Sequence, residues 1–196
     1  LIITISGKSC TGKTLMAQTL LEKYKVPYLS IDHLKMGLYR ADNNCGFTPL
    51  GSDQFIGEKL WPILKSIIQT NIENNQHLII EGCYLLPHHL QDFEPVYADK
   101  IIAVFLGFSA SYIEEQFHSS IVKHCNVIES RIYPEERTIS KVLDEHKYFR
   151  EECLACGVPY FEIKQDYEVE ISNVYEYIET EKCRMESVKP EQSQDL

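Results

Sequence analysis

Gly7-Lys8-Ser9-Cys10-Thr11-Gly12-Lys13-Thr14 (GKSCTGKT) matches the pattern G-x-x-x-x-G-K-[ST] at every fixed position, and it begins where the apolar run Leu1-Ile2-Ile3-Thr4-Ile5-Ser6 ends. Each fixed position has a physical task. Gly7 and Gly12 allow the backbone to double back so that successive N–H groups point at phosphate oxygens. Lys13 brings an ammonium to the β/γ oxygens, and the Thr14 hydroxyl is placed to ligate Mg²⁺. The helix that opens at the loop adds its positive N-terminal end. The β-branched run before the loop suits a buried parallel strand, and Leu15, Ala17, Leu20 and Leu21 after it suit a half-buried helix that Pro27 ends. All eight loop residues are therefore expected to hold a nucleotide.

Working outward, further strands are expected at Val26–Ile31, His77–Glu81, Lys100–Phe108 and Pro159–Ile163, separated by helical or mixed sequence. That alternation is the βαβ pattern of an α/β fold with a parallel sheet. Between the second and third strands, Ile56, Leu60, Ile63, Leu64, Ile67 and Ile68 form a helical stripe with Ser52 or Asp53 as its cap. Pro62 should kink or restart that helix, because it removes the bond to the carbonyl four residues back. Phe55 and Trp61 are expected to pack rather than to stack on a base. A helix from Ala110 to about His124, a polar stretch Cys125–Arg137 and a helix running to Cys156 follow, with Gly157 and Pro159 as the stop signal. Ser172–Tyr177 opens the last helix, and the chain is expected to form one domain over 1–183 with a loose tail over 184–196.

The formal charge of −10 over 196 residues disfavours broad contact with nucleic acid or anionic membrane, so phosphate binding must be local. Seven scattered cysteines, an odd number, argue for reduced thiols. With no 18-residue apolar stretch, the expectation is a soluble, cytoplasmic protein without a nucleic-acid or membrane partner, monomeric or homodimeric. Cys153 and Cys156 form a CxxC without a second pair at zinc spacing, which reads as structural cysteine. Cys10, inside the loop, reads as filler.

Ligands of open α/β sheets sit beyond the carboxyl ends of the strands, where Asp32 and Glu81 arrive. Asp32 can orient a Mg²⁺ water or take a proton from an acceptor hydroxyl, and it can equally cap the helix Leu34–Tyr39. Glu81 stands where an acid would hold Mg²⁺ through water, completing a metal set of Thr14, Asp32 and Glu81. Lys35 and Arg40 share the helix after Asp32 and are candidates to bind an anionic acceptor. Arg131, Arg137 and Arg150 are candidates to close over the transferred phosphoryl, Arg131 with a catalytic role beside Lys13 and Asp32.

GKSCTGKT, Leu29-Ser30-Ile31-Asp32-His33-Leu34-Lys35 and Leu78-Ile79-Ile80-Glu81-Gly82-Cys83-Tyr84-Leu85-Leu86-Pro87 together resemble the P-loop small-molecule kinases related to nucleoside monophosphate kinases. The 2-phosphoglycerate kinase-like and adenylate kinase-like members are the most similar. The resemblance implies ATP, Mg²⁺ and a small-molecule acceptor, such as a nucleoside monophosphate or a phosphorylated hydroxy acid. It also implies a three-layer P-loop NTPase fold with a five-stranded parallel sheet of order 2-3-1-4-5. An acceptor-binding insert would fall at about 33–76 and a lid at about 119–137. Lys35 stands where such kinases often carry Arg, which removes bidentate recognition. Two other classes fit the loop: a nucleotide-dependent regulatory ATPase, and a kinase fold kept for interaction.

Overall fold

Strand β1 (Ile2–Gly7) lies at the centre of the sheet because both of its faces are apolar: Ile3 and Ile5 leave on one side and Ile2 on the other, all without exposure. The computed structural model, which describes residues 1–42, 44–124 and 138–187, pairs β1 in parallel with β3 (Leu78–Glu81) and β4 (Ile101–Phe108). Strands β2 (Tyr28–Ser30) and β5 (Tyr160–Ile163) complete the order β2-β3-β1-β4-β5, all parallel. This is the expected 2-3-1-4-5 sheet. Helices cover both faces, which gives three layers.

On one face, Ile3, Ile5, Val104 and Leu106 pack against Met16, Ala17 and Leu20 of α1 (Lys13–Tyr24) and against Ile171, Val174 and Ile178 of α7 (Tyr167–Ser187). On the other, Ile2 and Ile80 meet Ile31 of α2 (Ile31–Ala41) and Ile56, Leu60, Leu64 and Ile68 of α3 (Asp53–Glu73). Further along that face, Ala103 and Phe105 of β4 pack on Phe149 and Cys153 of α6 (Ile139–Cys156). A 3₁₀ turn (Pro87–Asp92) and the single-turn α4 (Pro95–Ala98) lead into β4. The segment after β4 is α5 (Ala110–Gln116), followed by a π-helical stretch over Phe117–Val122.

Several sequence expectations need correction. Strand β2 is half the expected length, because Ile31 opens α2 instead; its Cβ stands 2.8 Å from where a side chain on Gly82 would begin. Asp32 therefore sits inside the first turn of α2, and Ser30 occupies the cap position. Helix α3 runs through Pro62 without a break over 21 residues. The buried stripe Leu60, Trp61, Leu64 and Ile68 spans the proline, and packing outweighs the one missing backbone bond. Trp61 is packed, stacked on His89 at 4.3 Å with its Nε1 donating to Asp92, whereas Phe55 is 48% exposed. Helix α7 begins five residues before Ser172 and reaches Ser187, so 184–187 are helical. Thr138 caps α6 by accepting from Lys141 N–H, and Gly157 ends it at φ 65°, as expected.

Gly57 shows how tightly α3 is seated. A Cβ there would stand 2.7 Å from the Tyr84 carbonyl oxygen. Gly57→Ala gains helix propensity of about 1 kcal/mol but overpacks this contact by about 1–3 kcal/mol. The expected result is a net destabilisation of up to about 2 kcal/mol, read as a lower urea midpoint at unchanged slope.

Candidate active site

The phosphate loop leaves β1 and enters α1 at Gly12, whose φ of 85° belongs to the left-handed region. A Cβ at Gly12 would also lie 1.8 Å from the Tyr167 hydroxyl, which donates to the Thr11 carbonyl at 3.3 Å. Only glycine satisfies both demands. Within the loop, the Lys8 carbonyl accepts from Thr11 Oγ1 at 2.8 Å and from Lys13 Nζ at 2.9 Å. The Lys13 ammonium thus lies over the loop, bound to a neutral carbonyl that an anionic oxygen would outcompete.

Glu81, at the carboxyl end of β3, is 2% exposed, and its Oε2 accepts from Thr14 Oγ1 at 3.2 Å. Ser30 stands opposite Glu81 in the β2–β3 register, so both side chains leave the sheet on the same face. Ser30 Oγ is buried and has no hydrogen-bond partner among the described residues. A hydroxyl, a carboxylate and an orphaned hydroxyl on one rim are hard oxygen donors, and they fit a Mg²⁺ ion that keeps several waters. Thr14 and Glu81 are therefore brought together as expected. Asp32, the third residue of the expected metal set, is drawn toward Lys35.

Lys35 is 7% exposed, and its Nζ donates to Asp32 Oδ1 at 2.8 Å and to the Tyr84 hydroxyl at 2.5 Å. The same ammonium lies 4.6 Å from the Tyr84 ring centroid, so the ring face adds to its stabilisation. Burial, followed by the nearby Cys83, Asp32 and Asp53, pushes the Tyr84 phenol well above its ordinary range. It stays a neutral phenol, whose oxygen accepts from Lys35. Cys83, next in chain, has its thiol pushed up to about 12, first by burial and then by Asp53, against Lys13; Asp32 and Lys8 add smaller opposing effects. That thiol is protonated near neutral pH and is no nucleophile. Lys8 and Lys13 come from the loop and Asp32 and Asp53 from α2 and α3, and the two sides meet where Lys8 Nζ lies 3.4 Å from Asp53 Oδ2.

The remaining candidates are spread more widely. Arg40 is exposed near the far end of α2, about 12 Å along the helix from Asp32 at 1.5 Å per residue. Arg150 pairs with Glu162 at 3.1 Å. Arg131 and Arg137, with the rest of the expected lid from 125 to 137, lie outside the described residues. Cys45, Cys83, Cys153, Cys156 and Cys183 are free, and Cys153 is buried against Phe105 and Phe149 as a packing residue.

Asp53 and Tyr84 are site residues that the sequence reading did not single out. Asp53 Oδ2 lies 3.4 Å from Lys8 Nζ, which ties the insert to the loop. One further cluster, Glu58 with His88 and His89, has ligand atoms within 4.8 Å of one another. It is not suited to a metal. His89 Nδ1 accepts the Leu86 N–H at 3.1 Å, so the neutral ring carries its proton on Nε2, the atom that faces Glu58.

Burial, then the neighbouring His88, pulls His89 down to about 4. The unfolded chain binds this proton from about pH 6.5 downward. The stability contributed by neutral His89 is therefore complete above pH 6.5 and is lost as pH falls through 4, by roughly 3 kcal/mol. His89→Asn, which keeps an acceptor for Leu86 N–H, is expected to flatten the fall in melting temperature between pH 7 and 4 relative to the unmutated chain.

No protein-family model and no curated protein matches the chain. Solved structures do. Shikimate kinase from Aquifex aeolicus superposes with a TM-score of 0.54 at 14% identity, covering 92% of this chain and 97% of that one. The chain has the P-loop kinase fold. The YorR protein of Bacillus subtilis, solved in complex with phosphorylated GDP, superposes with a TM-score of 0.52 at 16% identity over 92% and 97% of the two chains. Among the described residues, no helix is long and apolar enough to cross a membrane.

Proposed function

We propose that this protein is an ATP-dependent phosphotransferase acting on a small-molecule acceptor, with the phosphate loop as its donor half and Asp32, Lys35 and Tyr84 as its acceptor half. The observation that carries this reading is the meeting of the phosphate loop with the insert: Lys8 Nζ lies 3.4 Å from Asp53 Oδ2, Lys35 holds Asp32 at 2.8 Å, and Thr14 reaches Glu81 at 3.2 Å. Lysines and carboxylates are both needed where a phosphoryl leaves an anionic donor for a hydroxyl.

Asp32 accepts the acceptor's proton as the acceptor oxygen bonds to the terminal phosphorus and the bridging oxygen departs with the nucleoside diphosphate. Lys35 holds that carboxylate at 2.8 Å, while the Tyr84 hydroxyl fixes the lysine from its other side. Lys13, released from the Lys8 carbonyl, neutralises charge on the β- and γ-phosphate oxygens. Thr14 and Glu81 would hold Mg²⁺, which would supply further neutralisation of the phosphate oxygens. The transition state is loose, so correct placement of these groups matters more than base strength.

A coupled assay for nucleoside diphosphate release tests the reading over nucleoside monophosphates, phosphoglycerates and sugar acids, with Lys13→Ala and Asp32→Asn as controls. Acceptor-dependent turnover that both variants lose supports it. Tight nucleotide binding with slow hydrolysis and no dependence on any acceptor points instead to a nucleotide-dependent switch.

A further inference from the structure

The side chain of Lys8 leaves the phosphate loop and reaches the insert. Its Nζ lies 3.4 Å from Asp53 Oδ2, at the first residue of α3, and 5.4 Å from the ring centroid of Phe149 on α6. Its side chain is 16% exposed, against 38% for that of Asp53. The cap of α3 is Ser52, which accepts from Phe55 N–H at 3.2 Å, so the Asp53 carboxylate is spared for Lys8. The same residue's carbonyl holds Lys13. Lys8 thus fastens the donor lysine with its main chain while its own ammonium is fastened from the acceptor side.

We propose that Lys8 is a second phosphate-binding lysine, selective for the terminal phosphate of the donor, and that Asp53 holds it across the gap until that phosphate arrives. This rests on the donor being a nucleoside triphosphate. A lysine rooted in the loop and ending on the insert spans the gap that the transferred phosphoryl crosses. Its present partner is a single carboxylate in a partly exposed ion pair, which is a weak interaction. A terminal phosphate carries more charge and more acceptor oxygens, so the exchange is favourable. A diphosphate has no group to offer at that position. The exchange frees Asp53 at the start of α3 only when the triphosphate is bound, which couples donor binding to the state of the insert.

Calorimetric affinities for ADP and for a non-hydrolysable ATP analogue, measured on the unmutated chain, Asp53→Asn, Lys8→Met and the double variant, test this directly. Asp53→Asn is expected to tighten analogue binding about 3–5-fold and to change ADP binding by less than about twofold. Lys8→Met is expected to weaken the analogue about tenfold, again sparing ADP, and in that background Asp53→Asn should have no further effect. Equal changes for both nucleotides, no change in Asp53→Asn, or additive effects in the double variant would overturn the proposal. If Asp53→Asn fails to fold by its urea transition, the analogue-to-ADP ratio in Lys8→Met decides. Nucleotide binding by the unmutated chain, with that ratio unaltered, overturns the role of Lys8 alone; no binding of either nucleotide overturns the donor reading with it.

Discussion

Lys13→Ala is expected to lower acceptor-dependent turnover by about 10²–10³-fold, the loss that follows removal of one preorganised charge from developing phosphate oxygens. The folded state should hardly register the change. In the structure the Lys13 ammonium is bound to the Lys8 carbonyl, a loop group that Thr11 Oγ1 also satisfies, so deletion leaves no buried group without a partner there. A urea midpoint close to that of the unmutated chain, beside a collapse of turnover and weaker triphosphate binding by calorimetry, is the expected combination. Full activity in Lys13→Ala would remove the phosphate loop from the chemistry altogether. Loss of activity together with loss of the unfolding transition would make Lys13 a structural residue.

The phosphate loop was legible because its residues are local. GKSCTGKT compresses loop, lysine and hydroxyl into eight consecutive positions, and β1 announces itself by an uninterrupted apolar run. Glu81 could be placed at a strand end from the Leu-Ile-Ile-Glu-Gly pattern, and so on the same rim as Thr14, 67 residues away, which its carboxylate reaches. The strand order came from resemblance to known kinases rather than from the residues, since parallel pairing is non-local and leaves no mark in any one segment.

On the proposed acceptor side, Asp32 and Lys35 were legible from the helix after β2, whereas their non-local partners were not. Asp53 reads as a helix-capping residue, and only the fold, by bringing the start of α3 to the loop 45 residues earlier in the chain, turns it into the partner of Lys8. Tyr84 reads as one apolar residue among Cys83, Leu85 and Leu86. Its role depends on α2 presenting Lys35 to it from 49 positions away. A signal was nevertheless present: a lysine three residues beyond Asp32, among Ile31, Leu34 and Leu38 on one helix, had to be either exposed or paired at both ends. Pro62 and Ile31 were misread in the opposite direction, because local propensity was allowed to decide where long-range packing against β1, β3 and Gly82 prevails.

Asp32→Asn separates chemistry from support. The substitution keeps the size of the side chain and one acceptor oxygen but removes the charge, and if Asp32 takes the acceptor's proton, turnover should fall about 10²–10⁴-fold with little change in KM. The same change leaves the buried Lys35 ammonium without its counter-charge, held by a neutral amide oxygen and by the Tyr84 hydroxyl and ring. Breaking a buried pair by removing one partner destabilises by about 3–5 kcal/mol; the partial compensation by Tyr84 places this case near or below the lower end of that range. Stability and activity are thus both expected to drop, and the double variant Asp32→Asn/Lys35→Met tells the two apart. Replacing both charges removes the uncompensated ammonium, so the urea midpoint should recover most of its loss. Turnover should not recover, since the proton acceptor is still missing. Return of activity along with stability in the double variant would make Asp32 a structural partner of Lys35 and would require a different group to take the acceptor's proton.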